Sequence, residues 1–196
     1  MSGRTLGGRP PPGRICRGER ASAEVPTEIH THGRSTDMSA QSSRSGVDRG
    51  TVTGSSTRYW LAVVSREHVR RGVEIGIAQA NHGKRTAVER MRPGDGLIYY
   101  SPREGMRTGA PVRSFTAIGT IDDRPAWQAD PQDGGCFQPW RRSVSYRAGA
   151  RETPIEELRA DLEFTSVPNW GMVLRRGLIE LSPHDYALIA RAMTEE

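Results

Sequence analysis

The residues best suited to chemistry lie at the end of a glycine-rich stretch, residues 72–84. Its three glycines allow the backbone to approach a partner closely. Its last six residues, 79–84, form a polar loop whose side chains donate and accept hydrogen bonds in several directions. These side chains are those of Gln79, Asn81, His82 and Lys84. A loop this polar after a buried strand is predicted to line a binding pocket rather than to pack in the core.

Lys84 is a lysine in a chain whose other strongly basic residues are all arginines. The sequence has 28 lysines and arginines, and Lys84 is the single lysine among them. An ammonium group on a flexible stem is a compact point charge that suits a phosphate or an acceptor atom of a base.

Composition divides the chain of 196 residues into two parts. Residues 1–57 are rich in Gly, Pro, Ser, Thr and Arg and contain no aromatic residue, so we expect a disordered leader. Residues 58–196 have the size of one domain. The net charge of +5 is shared, because the leader has eight arginines against five acidic residues and the domain has 20 basic against 18 acidic residues. Any basic surface on the domain must therefore be local, which argues against tight, charge-driven binding of long duplexes.

No apolar stretch is long enough to span a membrane, and the N-terminus lacks the apolar core of a secretory signal. The two cysteines favour a reducing interior, so we expect a cytoplasmic protein, with no membrane partner and in monomeric form.

The pattern of short apolar runs predicts an α+β fold, a small curved sheet or pseudo-barrel flanked by short helices. A capping box at Thr153 with Pro154 after it predicts a helix to about Leu162, and Ser182-Pro183 predicts a final helix. Residues 170–181 are predicted to form a strand or a strand pair around a turn. The other predicted strands are residues 59–65, 97–101, 115–121 and 141–147, and the other predicted helical segments are 66–71 and 86–91.

Six segments together resemble the EVE-domain family, a UPF0310-like family: residues 59–69, 79–84, 91–102, 115–119, 137–142 and 170–171. The resemblance covers residues 58–193 and implies a PUA-like fold related to the YTH readers of methylated adenine. It further implies a non-catalytic reader of a modified base in DNA or RNA that needs no cofactor. Many members carry a Trp-x-Gly-Val-Arg-Asn-like run where this chain has its polar loop, so methylated cytosine and methylated adenine both stay open.

A reader of one unstacked base needs a flat surface for stacking and fixed polar groups for the base edge. The predicted pocket combines the polar loop with strand-end serines and aromatic residues. It comprises Ser65, Gln79, Asn81, His82, Gly83, Lys84, Tyr100, Ser101 and Trp170. Other aromatic candidates are Trp60, which we assign to the core, Tyr99, Phe137 and Trp140; Tyr99 and Tyr100 must point to opposite faces of their strand. Arg141 and Arg142 are the predicted phosphate contacts.

Two other functions stay open at this point. Some PUA-like relatives of the ASCH type resemble small amidohydrolases that use lysine, threonine and glutamate. Lys84, Thr86 and Glu89 supply these residue types within one short stretch, so hydrolysis of an acylated nucleoside is the catalytic alternative. A scaffold without a ligand is the third possibility. A phosphate loop is excluded, since six residues separate Gly76 from Gly83 where the motif has four. The five histidines lack metal-ligand spacing, and we expect no metal.

Overall fold

The computed structural model describes residues 56–131 and 136–195. Its central element is β1 (Tyr59–Val63), which pairs in parallel with β3 (Gly96–Arg103) and antiparallel with β8 (Leu178–Leu181). Trp60, Leu61 and Ala62 are fully buried. A strand with neighbours on both edges and packing on both faces needs a continuous apolar run, which is what the sequence supplies.

The other strands complete a curled mixed sheet. Along its main path the order is β2-β6-β4-β3-β1-β8, with β5 paired to β6 and β7 paired to β4. These additional strands are β2 (Ile77–Ala78), β4 (Pro111–Ile121), β5 (Trp127–Gln128), β6 (Trp140–Tyr146) and β7 (Thr153–Pro154).

Four α-helices flank the sheet, so the predicted α+β class with a small curved sheet is confirmed. They are α1 (Arg66–Glu74), α2 (Arg85–Val88), α3 (Gly171–Leu174) and α4 (Pro183–Thr194). The predicted start of the final helix is also confirmed, since the Ser182 side chain accepts a hydrogen bond from the Asp185 amide, 3.1 Å away, at the N-terminus of α4.

The sheet separates two apolar clusters. Tyr99 packs with Trp60 and the residues of α2 on one face, and Tyr100 packs with Phe115 and Ile189 on the other. The predicted opposition of Tyr99 and Tyr100 is confirmed, and it follows from the twofold alternation of side chains along β3.

Two predicted elements differ in the structure. Thr153 and Pro154 do not begin a helix but form β7, where Thr153 pairs with Phe115 and is fully buried. Only a 3-10 turn, Ile155–Glu157, follows, because sheet pairing has already fixed the backbone at the intended helix cap. Residues 170–181 contain the short α3 before the strand β8.

Asp95 is a buried carboxylate that joins β1 to the turn before β3. It is 3% exposed and accepts hydrogen bonds from Trp60 Nε1 at 2.7 Å, the Arg92 amide at 2.8 Å and the Arg58 amide at 3.1 Å. The side chain thus supplies an acceptor for the buried Trp60 indole and for two partly buried backbone amides.

The leader predicted for residues 1–57 lies outside the described residues except for its last two. Among the described residues, no helix has the length and apolar character required to cross a membrane.

Candidate functional site

A cavity of about 540 Å³ opens where four segments meet. They are the carboxyl end of β1 with the start of α1, the polar loop, the β3–β4 hairpin, and the end of α3 with the turn before β8. The volume lies within the range of roughly 300–1,000 Å³ that is usual for ligand pockets.

The structure brings together five of the residues that the sequence predicted for the pocket. Each contributes to the cavity lining: Ser65, Gln79, Asn81, His82 and Lys84. Gly83 lies behind them, buried against Pro139. The amide-rich loop and the end of β1 therefore face one concave space.

The polar loop has an unusual backbone. Asn81 has a φ of 48°, His82 a φ of 58° and Gly83 a φ of 71°, so three successive residues are left-handed. A non-glycine residue in this region costs about 1–2 kcal/mol, and such conformations are concentrated at binding and catalytic sites. The loop closes through hydrogen bonds from the Gly83 amide to the Ala80 carbonyl, 2.9 Å, and from the Lys84 amide to the Asn81 carbonyl, 3.3 Å.

Tyr99 fixes the start of the polar loop through hydrogen bonds to the backbone of Gln79. Its hydroxyl accepts a hydrogen bond from the Gln79 amide at 3.2 Å and lies 3.3 Å from the Gln79 carbonyl, to which it donates. Burial raises the pKa of Tyr99 to about 12, so the hydroxyl keeps its proton at neutral pH. Tyr146 supports β2 similarly, since its hydroxyl donates to the Ile77 carbonyl at 2.9 Å. Tyr99 is therefore a positioning residue and not a stacking surface.

Among the described residues, those that line the cavity include cations and no carboxylate. None of the lining cations has an ion pair within the described part of the chain. They are Lys84, Arg103, Arg175 and Arg176. Of these four cations, Lys84 alone was predicted from the sequence as a site residue. The one sequence signal for the others was the adjacent Arg175 and Arg176 inside an apolar run. Four uncompensated positive charges around one concavity favour an anionic ligand.

Several neutral polar groups in the cavity are also without partners. The side chains of Ser65, Gln79 and Asn81 make no hydrogen bond to the described residues, although Ser65 stands at the N-cap of α1. His68, which the sequence analysis did not select, lines the cavity from α1. Burial lowers the pKa of His68, with Arg71 and Arg141 adding to the effect, so the imidazole is neutral at pH 7. These groups are available to the edge of a ligand.

Besides Gly83, three predicted pocket residues do not line the cavity. Tyr100 lies on the opposite face of β3, with its ring centroid 5.8 Å from that of Phe115. Ser101 is fully buried, and its hydroxyl bonds to that of Thr116 at 2.8 Å. Trp170 packs edge-on against Phe164.

The described lining of the cavity consequently includes no Phe, Tyr or Trp side chain. Its flat groups are the imidazoles of His68 and His82 and the guanidinium groups of Arg103, Arg175 and Arg176. Bases stack on histidine rings and arginine planes as well as on larger aromatic rings.

The predicted phosphate contacts are also displaced from the cavity. Arg142 is 6% exposed, burial lowers its pKa, and its Nε and Nη2 atoms have no hydrogen-bond partner. It points into the sheet with Val144 because the two share one face of β6. Arg141 is half-buried beside Trp140, whose ring lies 4.7 Å from the Arg85 guanidinium carbon. Neither arginine lines the cavity.

The residues of the hydrolase alternative do not converge. Lys84 lines the cavity, while Thr86 and Glu89 do not, and both are exposed on or beside α2. The Glu89 carboxylate pairs instead with Arg85 at 2.8 Å. The residue types that suggested an amidohydrolase are adjacent in sequence but not in one site.

Comparison with known proteins covers the segments that build the cavity. Residues 58–192 match the family model described as the EVE domain. A UPF0310 protein of Renibacterium salmoninarum is 49% identical over 138 residues, which is 70% of this chain and 96% of that protein. A UPF0310 protein of Mesorhizobium japonicum is 46% identical over 136 residues, 69% of this chain and 91% of that protein.

Among solved structures, a similar chain is human THYN1 protein in complex with 5-methylcytosine containing DNA. It has 15% sequence identity and a TM-score of 0.41, and the alignment covers 71% of this chain and 99% of that chain.

Proposed function

This chain belongs to the EVE-domain family, whose fold is the PUA-like curved sheet described above, and from that premise we propose that it reads a modified nucleobase in a nucleic acid. Methylated cytosine and methylated adenine are the candidate bases. The protein binds without catalysing a reaction and requires no cofactor. The expectation of a cytoplasmic monomer stays a prediction.

One observation carries the proposal: a cavity of ligand size whose charged side chains, in the described part of the chain, are all cations without an ion pair. Phosphates flanking the bound base supply the negative charge that these groups lack. The free side chains of Ser65, Gln79 and Asn81 supply donors and acceptors for the edge of the base. A cavity for an uncharged metabolite would not need four free cations at its surface.

The apolar part of the lining suits a methyl group. Val63, Val64 and Leu174 face the cavity beside the polar loop. Burial of one methyl or methylene group contributes about 0.8 kcal/mol, or roughly fourfold in affinity. Discrimination by more than fourfold requires a hydrogen bond that the cavity makes to the modified base and does not make to the unmodified base.

The direct test is fluorescence anisotropy with single-stranded oligonucleotides that differ in one base. We expect wild-type protein to bind one of the oligonucleotides with 5-methylcytosine or N6-methyladenine at least fourfold more tightly than its unmodified counterpart. Equal affinity across the panel for every position of the modified base would refute the reader function.

Gln79→Met tests the polar loop because it keeps the length of the side chain and removes the amide. We expect it to lower discrimination between modified and unmodified oligonucleotides by about fivefold, the value of one hydrogen bond of roughly 1 kcal/mol. The matched control is Gln138→Met, at an exposed position outside the cavity. Unchanged discrimination in Gln79→Met would exclude its amide from base recognition.

Lys84→Gln tests the charge of the cavity. We expect a loss of affinity of about three- to tenfold that is the same for modified and unmodified strands. The slope of log affinity against log salt should fall in magnitude by about 1, because one phosphate contact is removed. Arg147→Gln, an exposed arginine without an ion pair and outside the cavity, is the control. A salt slope equal to that of wild type would show that Lys84 contacts no phosphate.

A further inference from the structure

The β3–β4 hairpin presents an apolar side chain at the opening of the cavity. Met106 is 69% exposed, the highest value among the exposed large hydrophobic residues of the described chain, and it also lines the cavity. A methionine in this position exposes its apolar surface to water and does not stabilise the fold by packing. It is therefore available to a ligand that enters the cavity.

The hairpin that carries Met106 is firmly held. The Glu104 amide donates to the Ala110 carbonyl at 3.0 Å, and the Gly105 amide donates to the Thr108 carbonyl at 3.1 Å. The Glu104 carboxylate accepts a hydrogen bond from Arg66 Nε on α1 at 2.6 Å. The Glu67 amide of α1 also donates to the Glu104 carbonyl, at 3.0 Å. The tip is thus attached directly to α1 and resists displacement.

The charges of the hairpin tip are arranged for a polyanion. Its one acid, Glu104, is paired with Arg66 and Arg70 of α1. Arg103 and Arg107, on either side of Met106 in sequence, have no ion pair among the described residues. The tip therefore offers one apolar side chain with an arginine that has no described ion pair on each side of it in sequence, which suits a base stack bordered by phosphates.

We propose that Met106 is an intercalating wedge and that the partner is double-stranded DNA. This inference depends on the base-reading function proposed above. A base inside a duplex reaches the cavity only after it leaves the stack, which costs stacking and pairing energy. Met106 enters the vacated space and restores part of the lost apolar contact, as unbranched and apolar side chains do in proteins that open base steps. The local cations, rather than the nearly neutral domain as a whole, hold the backbone on each side.

The test compares wild type, Met106→Ala and Met172→Ala on three ligands. The ligands are a short DNA duplex with one modified base, the modified strand alone, and the modified nucleoside. Met172 is the matched control, because it is 55% exposed and does not line the cavity. We expect Met106→Ala to lower affinity for the duplex about tenfold, and affinity for the single strand and the nucleoside by a clearly smaller factor, because Met106 borders the cavity but has no vacated stack to fill in those two ligands. Met172→Ala should match wild type on all three.

A second measurement reports the opened stack directly. With 2-aminopurine next to the modified base, wild-type protein should raise the fluorescence of the duplex, and Met106→Ala should raise it less at saturating protein. A mismatch opposite the modified base should reduce the difference in duplex affinity between wild type and Met106→Ala, because the base is then easier to unstack.

The outcomes separate the wedge from the reading function. Equal duplex affinity and equal 2-aminopurine response in wild type and Met106→Ala, with base discrimination intact in single strands, would overturn the wedge alone. An equal loss on duplex and single strand would also overturn it, since Met106 would then be an ordinary contact. Absence of discrimination in single strands by wild type would overturn the reading function and the wedge together. Tighter binding to an RNA duplex of the same sequence would overturn the assignment to DNA.

Discussion

Replacement of Gly83 by alanine is expected to abolish base discrimination and to destabilise the domain by about 3 kcal/mol. Two costs add at this position. The φ of 71° is unfavourable for any residue with a Cβ atom. The new Cβ would also overlap the Cβ of Pro139 and lie 2.7 Å from its Cα. The chain can relieve the overlap only by moving the polar loop away from β6, which displaces Asn81 and His82 from the cavity.

Gly149→Ala is the control that separates the two costs. Gly149 has a φ of 75°, and an added Cβ there meets nothing within 4 Å. We expect this variant to lose about 1–2 kcal/mol from backbone strain alone and to bind oligonucleotides as wild type does. Chemical denaturation gives the free energies of unfolding, and anisotropy below the unfolding transition gives the affinities. If Gly83→Ala matches Gly149→Ala in both measurements, the close packing of the loop on Pro139 does not position the site.

The sequence predicts the parts of the fold that depend on local pattern. The buried run of β1 and the Ser182-Pro183 helix start are examples, since an apolar run and a capping serine act over a few residues. Thr153-Pro154 shows the opposite case. Its capping-box pattern is genuine, but pairing with β4 determines the backbone there, and the Thr153 hydroxyl lies 3.3 Å from the Ala192 carbonyl of α4, to which it donates. A contact between residues 39 apart in sequence cannot be predicted from the local sequence pattern.

The candidate site divides in the same way. The residues of the polar loop and Ser65 reach one cavity because chain connectivity places them near the end of β1. Arg103 and Arg175 come from a hairpin and a turn whose approach depends on the order of strands in the sheet. The order of the strands is not encoded in a local pattern, so the sequence predicts cationic contacts at the adjacent Arg141-Arg142 pair instead, and Arg142 is buried.

The aromatic residues show why composition misled the prediction of a stacking surface. Trp170 and Tyr100 were chosen because a base needs a flat apolar neighbour, yet both pack within one apolar cluster. Large rings contribute most to stability when buried, and a domain with few aromatic residues uses them there. In this cavity, imidazole and guanidinium groups are the flat surfaces that remain.

Asp95→Ala is expected to lower the free energy of unfolding by about 4 kcal/mol, close to the upper end for a single substitution. The variant leaves the buried Trp60 indole and the partly buried amides of Arg58 and Arg92 without this acceptor. It also leaves Trp60 without the one hydrogen bond that sets its position between Arg58 and Arg90, whose guanidinium carbons lie 4.9 and 4.7 Å from its ring. Denaturant unfolding followed by tryptophan fluorescence measures the change.

Trp60→Phe distinguishes the indole bond from the two amide bonds of Asp95. It removes one donor and keeps a large ring, so we expect a loss of about 1–2 kcal/mol, well below that of Asp95→Ala. Asp123→Ala, at an exposed position, should change stability by less than about 0.5 kcal/mol. If Asp95→Ala costs no more than Asp123→Ala, water replaces the carboxylate, and the turn before β3 does not depend on it. A large cost for Asp95→Ala, with nucleoside binding preserved in the remaining folded protein, would place Asp95 in the structural frame of β1 and outside the reading site.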